Sequence, residues 1–259
     1  MITKNKTLVI LSIAGSDNSS GAGIQADIKT AKSLNAYCTT TLTCITSQNS
    51  QKVSKVFSIP THVVLSQIKT IKEEYNIDGI KIGLLTDCKL VSPLKKILEF
   101  INVPIVIDPI YESTSGKKFM NKKDFIDTYF SLSKIASFLT PNLNEAKLLS
   151  NSQNKNFSKK EILSVLFKKL KTPIILTGGE DDKNYSNDTL ISKEGIKEFK
   201  LKKINSNKTH GSGCSFSTAL TIFLASGETI ENSIRLAKSF IKKTIIRSPN
   251  LGIDYGPIC

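Results

Sequence analysis

Residues 208–225 read KTHGSGCSFSTALTIFLA, and this stretch decides the fold. A glycine turn, Gly211-Ser212-Gly213, leads straight into an apolar run that begins at Cys214 and Ser215. The run is apolar nearly all round, which predicts a buried helix, and Gly227 stands where that helix would stop. A helix start leaves backbone N–H groups without intrahelical acceptors and carries the positive end of the macrodipole. Glycines beside it let an anion approach the backbone, and phosphate is the usual occupant. A thiol at the same point is expected to have a lowered pKa. One stretch thus offers a phosphate cradle and a candidate base, Cys214.

Upstream, short continuous apolar segments alternate with helical patterns. Strands are expected over residues 8–14, 37–47, 79–82, 103–107, 138–139 and 173–176. Helices are expected over 24–34, 62–75, 93–100 and 159–170, and another, carrying Glu145, after Asn142. A glycine and hydroxyl-rich loop fills 15–23, and a last amphipathic helix carries Ile230, Ile234, Ala237, Ile241 and Ile245 on one face. This alternation predicts an α/β fold with a mostly parallel sheet covered on both faces. Gln48, Gly83, Asp108, Asn142 and Gly178 all fall just after the carboxyl end of an expected strand. In open α/β sheets that edge binds ligands, whereas core residues have no reason to gather there.

Composition narrows the function. The 259 residues show no compositional break or repeat, so one domain spanning 1–259 is expected. Five cysteines form no C-x-x-C pair, which points to a reducing cytoplasm. His62 and His210 are the two histidines, too few for a histidine-rich metal site. The net charge of +14 comes from dispersed lysines, without a basic block or basic–aromatic interleaving, so nucleic acid is not the expected partner. The apolar run 8–14 follows lysines as in a signal peptide, but no A-x-A-like site closes it and it fits a buried strand. No apolar run approaches the roughly 20 residues of a membrane span.

Phosphoryl transfer asks for positioning, charge neutralisation and an oriented nucleophile, and the sequence supplies candidates for each. Gly211 to Gly213 supply N–H donors. Asp108 and Glu145 are hard oxygen ligands for Mg²⁺. Thr177-Gly178-Gly179 lets backbone approach a nucleotide. Cys214, Asp27 and Gln48 remain for the acceptor. His210 reads as a hydrogen-bond donor that orients its loop rather than a metal ligand.

The stretches IAGSDNSSGAGIQADIKT, TSQNS, IKIGLL, IDPI with a following SG, LTPNLNEAKLL, GG at 178 and THGSGCSFSTAL occur in this order between Ile13 and Leu220. Together they resemble the hydroxymethylpyrimidine/phosphomethylpyrimidine kinases of thiamine biosynthesis, in the ribokinase-like superfamily. The closing GIDYGPIC is similar to that family's terminal glycine-proline segment. The resemblance implies a three-layer α/β/α fold, ATP and Mg²⁺ as cofactors, and a homodimer. It puts Cys214 at the catalytic base, Gly211, Ser212 and Gly213 at the anion hole, and Gly15, Asp27, Gln48 and Leu84 around the pyrimidine. Thr177, Gly179, Lys208 and His210 fall near the nucleotide, and Asn142 and Glu145 join Asp108 around the metal and phosphate. The family's usual Lys-Gly-Gly-His is Thr177-Gly178-Gly179-Glu180 here, Leu84 replaces a usual methionine, and Lys208 replaces a frequent asparagine.

Three other readings stand beside this one. A pyridoxal-type kinase of the same superfamily acts on a similar flat ring bearing a hydroxymethyl group. A dinucleotide-dependent oxidoreductase would need G-x-G-x-x-G in the first loop, which is absent. A ligand-binding homologue without catalysis draws on the altered segment at 177–180.

Overall fold

The computed structural model describes residues 6–151, 157–178, 184–206, 208–249, 251 and 256. In chain order its elements are β1 (Val9–Asp17), α1 (Gly23–Ser33), β2 (Tyr37–Gln48), β3 (Val53–Ser58), α2 (Thr61–Glu74), β4 (Gly79–Ile82), α3 (Val91–Leu98) and β5 (Ile105–Ile107). There follow α4 (Lys122–Leu132), β6 (Phe138–Leu139), α5 (Leu143–Ser150), α6 (Lys159–Leu170), β7 (Ile174–Leu176), β8 (Tyr185–Ser192), β9 (Gly195–Lys202), α7 (Ser212–Ala225) and α8 (Ile230–Arg247).

These strands form one sheet in the order β3-β2-β1-β4-β5-β6-β7-β8-β9. The strands from β2 to β7 in that order run parallel, while β3 pairs antiparallel at one edge and β8–β9 closes the other as a hairpin. Successive residues of a strand point to opposite faces, and each face gathers its own helices. Leu11, Ile13, Ile80, Ile82, Ile105 and Ile107 pack with α2 to α6 in the larger core. Tyr111, Phe125 and Tyr129 stack edge-to-face within it, with centroids 5.0 and 4.9 Å apart. Ile10, Val106 and Ile175 face α1, α7 and α8. The architecture is therefore the expected three-layer α/β/α, ribokinase-like arrangement.

Four parts of the chain differ from the sequence expectation. β1 runs on to Asp17, because after a bulge Ser16 and Asp17 pair with Ile45 and Thr46 of β2. The strands β3, β8 and β9 were not expected. They lie toward the sheet edges, where β3 and β9 are largely exposed and so lack a continuous apolar signal. Helix α4 was also missed, although Phe125, Tyr129 and Leu132 have helical spacing and are buried. Among the described residues no helix is long and apolar enough to cross a membrane.

Leu94 sits fully buried between α3 and the sheet, on the face away from α7. Leu94→Ala is expected to cost about 2–5 kcal/mol. Its thermal midpoint should fall by on the order of 10 °C while activity per folded molecule persists. Calorimetry beside an activity assay at low temperature checks both.

Candidate active site

The carboxyl ends of the parallel strands face the glycine turn that opens α7. Gly211 has φ +85°, and a Cβ there would lie 1.9 Å from the Gly21 carbonyl oxygen, so the two glycine loops touch through backbone. Ser215 N donates to Gly211 O in the first helical bond, and Ser212 N donates to Thr209 O. The Ser212 N–H is thus engaged within the turn. The first-turn N–H groups of Gly213 and Cys214 have no intrahelical acceptor by geometry.

Asp17 organises the first loop. Its Oδ1 accepts from Ser19 N and Oγ, and its Oδ2 accepts from Gly21 N and Ala22 N. His210 Nε2 lies 3.0 Å from the same Oδ2. Burial alone would raise this carboxyl, but the bonds from His210, Ser19 and Gln48 hold it well below the usual carboxylate range. His210 N donates to Gly256 O, so its backbone is held by the C-terminal segment while its ring is held by Asp17. His210, expected near the nucleotide, ties the first loop to the turn that opens α7. The ring packs where a Gly21 side chain would be, with Cδ2 2.0 Å from that Cβ position.

Behind the turn lies a buried ion pair that sequence reasoning missed. Lys81 of β4 and Asp27 of α1 both have 0% exposure. Lys81 Nζ donates to the Asp27 carboxylate at 2.8 and 3.1 Å, while Ser12 Oγ and Thr218 Oγ1 donate to it at 2.5 and 2.8 Å. Asp27 was expected to touch the pyrimidine, but it has no exposed surface and its oxygens are occupied. Its charge reaches the site through the bond to Lys81 and by its effect on Asp108 and Cys214. Burial alone would lower the Lys81 pKa, but Asp27, Cys214 and Asp108 hold the ammonium above its usual range. A lysine in the middle of the buried strand GIKI was the available signal, since such a charge needs a partner.

Cys214 is 7% exposed. Burial pushes its thiol up to about 12; Lys81 and a backbone bond from Gly23 oppose this, and Asp108 and Asp27 add to it. The direction is thus opposite to the lowered pKa expected at a helix start, with desolvation as the largest cause. Asp108, after β5, is hydrogen-bonded by the Cys214 and Ser217 side chains. Burial and Asp27 raise its carboxyl, Lys81 opposes them, and it stands at about 6.

The remaining positions lie on either side. Gly15 packs on Cys44 and Leu84, with the Leu84 Cδ2 only 3.1 Å from where a Gly15 Cβ would stand. Gln48 reaches the Asp17 carboxylate, and its N–H donates to Asn18 Oδ1. Asn142 and Glu145 form a capping box at α5: Asn142 Oδ1 accepts from Glu145 N, and Glu145 Oε2 accepts from Asn142 N. Glu145 Oε1 accepts from Tyr111 N, and burial followed by the Asp108 charge pushes this carboxyl up to about 8. Thr177 N and Oγ1 both donate to Pro141 O, joining the turn after β7 to that cap. Lys208, expected near the nucleotide, donates to Ser248 O beyond α8, where the helix end attracts a cation. Gly179 lies outside the described residues. Among the described residues no group of three or more His, Cys, Asp or Glu is placed to hold a metal. Of the three residues expected around the metal, Asp108 meets the Cys214 and Ser217 side chains of α7, and Asn142 and Glu145 are joined in the cap of α5.

A ribokinase-like sheet with a glycine-turn helix opposite its strand ends defines a phosphotransferase architecture. The sequence profile of the family described as Phosphomethylpyrimidine kinase matches residues 17–259, and the chain belongs to that family. It is 33% identical over 252 residues to the hydroxymethylpyrimidine/phosphomethylpyrimidine kinase of Aquifex aeolicus, covering 96% of this chain and 98% of that one. The ADP complex of Bacillus subtilis pyridoxal kinase superposes with TM-score 0.86 at 31% identity, covering 98% and 97% of the two chains. The Staphylococcus aureus pyridoxal kinase with AMP-PCP and pyridoxal gives 0.87 at 28% identity, covering 98% and 94%.

The buried pair gives a direct test. Lys81→Met leaves Asp27 uncompensated and is expected to lower stability by about 3–5 kcal/mol. The double variant Asp27→Asn/Lys81→Met should recover most of that loss in urea unfolding. A double variant as unstable as the single one would show that packing, not charge, sets the cost.

Proposed function

We propose that the chain transfers the γ-phosphoryl group of ATP to 4-amino-5-hydroxymethyl-2-methylpyrimidine and then to the resulting monophosphate, within one domain spanning residues 1–259. The observation that carries the reading is the meeting of the α7 glycine turn with Asp108 and Cys214 at the strand ends, in a chain of this family. The α7 turn is the seat for the transferring phosphoryl group. Gly15, Gln48 and Leu84 form the side that receives the pyrimidine. Thr177 stands on the nucleotide side.

A protonated thiol cannot accept a proton, so Cys214 acts with Asp108. The substrate hydroxyl gives its proton to Sγ as the thiol passes its own to the Asp108 carboxylate. Asp108, at about 6, is mostly ionised at neutral pH and suited to this. The second substrate is a phosphate monoester, mostly dianionic near neutrality, and needs no base.

For Mg²⁺ the fitting donor is Glu145. A carboxylate raised by burial and by Asp108 gains most from a nearby cation. Mg²⁺ takes one or two carboxylates together with waters and phosphates, which agrees with so few protein donors. When bound, the ion would neutralise phosphate charge.

Pyridoxal is the second candidate substrate, because the superposable S. aureus structure carries it. An assay with Mg-ATP and each compound, separating mono- and diphosphate products, decides. Pyrimidine diphosphate supports the reading, and pyridoxal phosphate alone replaces it.

The free cysteines among the described residues, Cys38, Cys44, Cys88 and Cys214, suit the cytoplasm. A homodimer is supported by Ile45 and Phe57, directly paired across β2 and β3 and both exposed. Phe57→Glu is expected to shift the species in size-exclusion chromatography toward the monomer, and an unchanged dimer would place the interface elsewhere.

Cys214→Ala is expected to slow the first phosphorylation by on the order of 10²-fold or more and the second far less. The first-step rate should rise with pH through about 6 as Asp108 ionises, and the second should not follow it. Equal losses in both steps would leave Cys214 as a packing residue.

A further inference from the structure

Gly178, in the turn after β7, is held from three directions. A Cβ there would lie 2.0 Å from the Asn187 carbonyl oxygen, so only glycine lets the turn pack this close to β8. Its N–H donates to Asp188 Oδ1 at 2.8 Å, and its carbonyl accepts from Ser186 Oγ at 2.5 Å. Behind both stands Lys238 of α8. Its Nζ lies 2.7 Å from Asp188 Oδ2 and donates to Ser186 Oγ at 3.0 Å. Asp188 and Lys238 are 4% and 7% exposed.

The chemistry of the groups fixes the direction of every bond. An ammonium only donates and a carbonyl or carboxylate only accepts. Ser186 therefore receives from Lys238 and gives its one proton to Gly178 O. Asp188 receives from Lys238 and from Gly178 N–H. The ring closes, and it sets the orientation of the peptide groups on both sides of Gly178. A buried ion pair is a poor way to gain stability, since apolar residues of similar volume serve as well. Its distinctive contribution here is orientation. Thr177 is tied on the other side, to Pro141 O, so the strand end enters the turn in a defined direction.

We propose that Asp188, Lys238 and Ser186 are positioning residues for the phosphate donor: by holding the N–H and the carbonyl of Gly178 they fix the backbone at Thr177 and Gly178, on the side that receives ATP. The proposal rests on the reading of Thr177 to Gly179 as the nucleotide side. None of the three residues needs to touch the nucleotide. The effect is local to that side. Four strand intervals separate β7 from β1, where Gly15 lies, or about 19 Å at the usual strand spacing.

Removing Lys238 alone leaves Asp188 uncompensated and endangers folding, so the two charges are removed together. The variants are Ser186→Ala and Asp188→Asn/Lys238→Met, each checked by thermal unfolding. AMP-PCP binding is measured by calorimetry, and KM for the pyrimidine by steady-state assay. Both variants are expected to weaken AMP-PCP by about 10-fold and to change the pyrimidine KM by less than about twofold. Folded variants that bind AMP-PCP as the parent does overturn the proposal. So does an equal loss for both ligands, which would mean general loosening. Thr177→Glu, placed in the turn itself, separates the two failures. If it too leaves AMP-PCP binding unchanged, the nucleotide reading falls and the proposal with it. If it weakens binding while the other variants do not, the positioning role alone falls.

Discussion

A lysine ammonium without exposed surface sits between the sheet and α7, and the surrounding site depends on how its charge is met. Desolvating Lys81 and Asp27 is costly, and their attraction offsets this only with good geometry and further hydrogen bonds. Here Ser12 and Thr218 supply those bonds. Four elements, β1, β4, α1 and α7, therefore converge on one carboxylate. The same ammonium moderates the carboxyl of Asp108 and the thiol of Cys214, so the pair reaches from packing into the chemistry of the site.

The second constraint is the approach of two glycine loops far apart in the chain. Gly211 meets the Gly21 carbonyl, Gly21 makes room for His210, and His210 is held by Asp17. Each contact needs the absence of a side chain or the presence of one particular acceptor. The phosphate cradle at α7 is thus built against the substrate loop rather than standing alone. The position of one loop fixes that of the other, which couples the acceptor side of the site to the transferring group.

Much of this was legible before the fold was known, and what was not has a physical cause. Buried central strands such as β4 and β5 are short apolar runs, and helices such as α6 and α8 carry a clear 3.6-residue pattern. The edge strands β3 and β9 face solvent, so their sequences carry little apolar signal. The residues Asp108, Asn142 and Thr177 follow the carboxyl ends of β5, β6 and β7, as their place after apolar runs implied. Their individual duties were harder to read. Asn142 caps a helix, Lys208 turns to the end of α8, and Asp27 is sealed beneath the site.

The sequence by itself determined the layering, the parallel centre of the sheet and the family, because periodicity and local motifs are properties of neighbours along the chain. Only the tertiary structure decided protonation states and partners. Whether a thiol at a helix start is a thiolate depends on how much water reaches it and which charges lie near. For Cys214 those are Lys81, Asp108 and Asp27, none of them within a hundred residues of it. Burial there is the largest influence on the thiol. The partner of Lys81 is likewise set by α1 packing over β4, because a carboxylate 54 residues away becomes its neighbour only after folding.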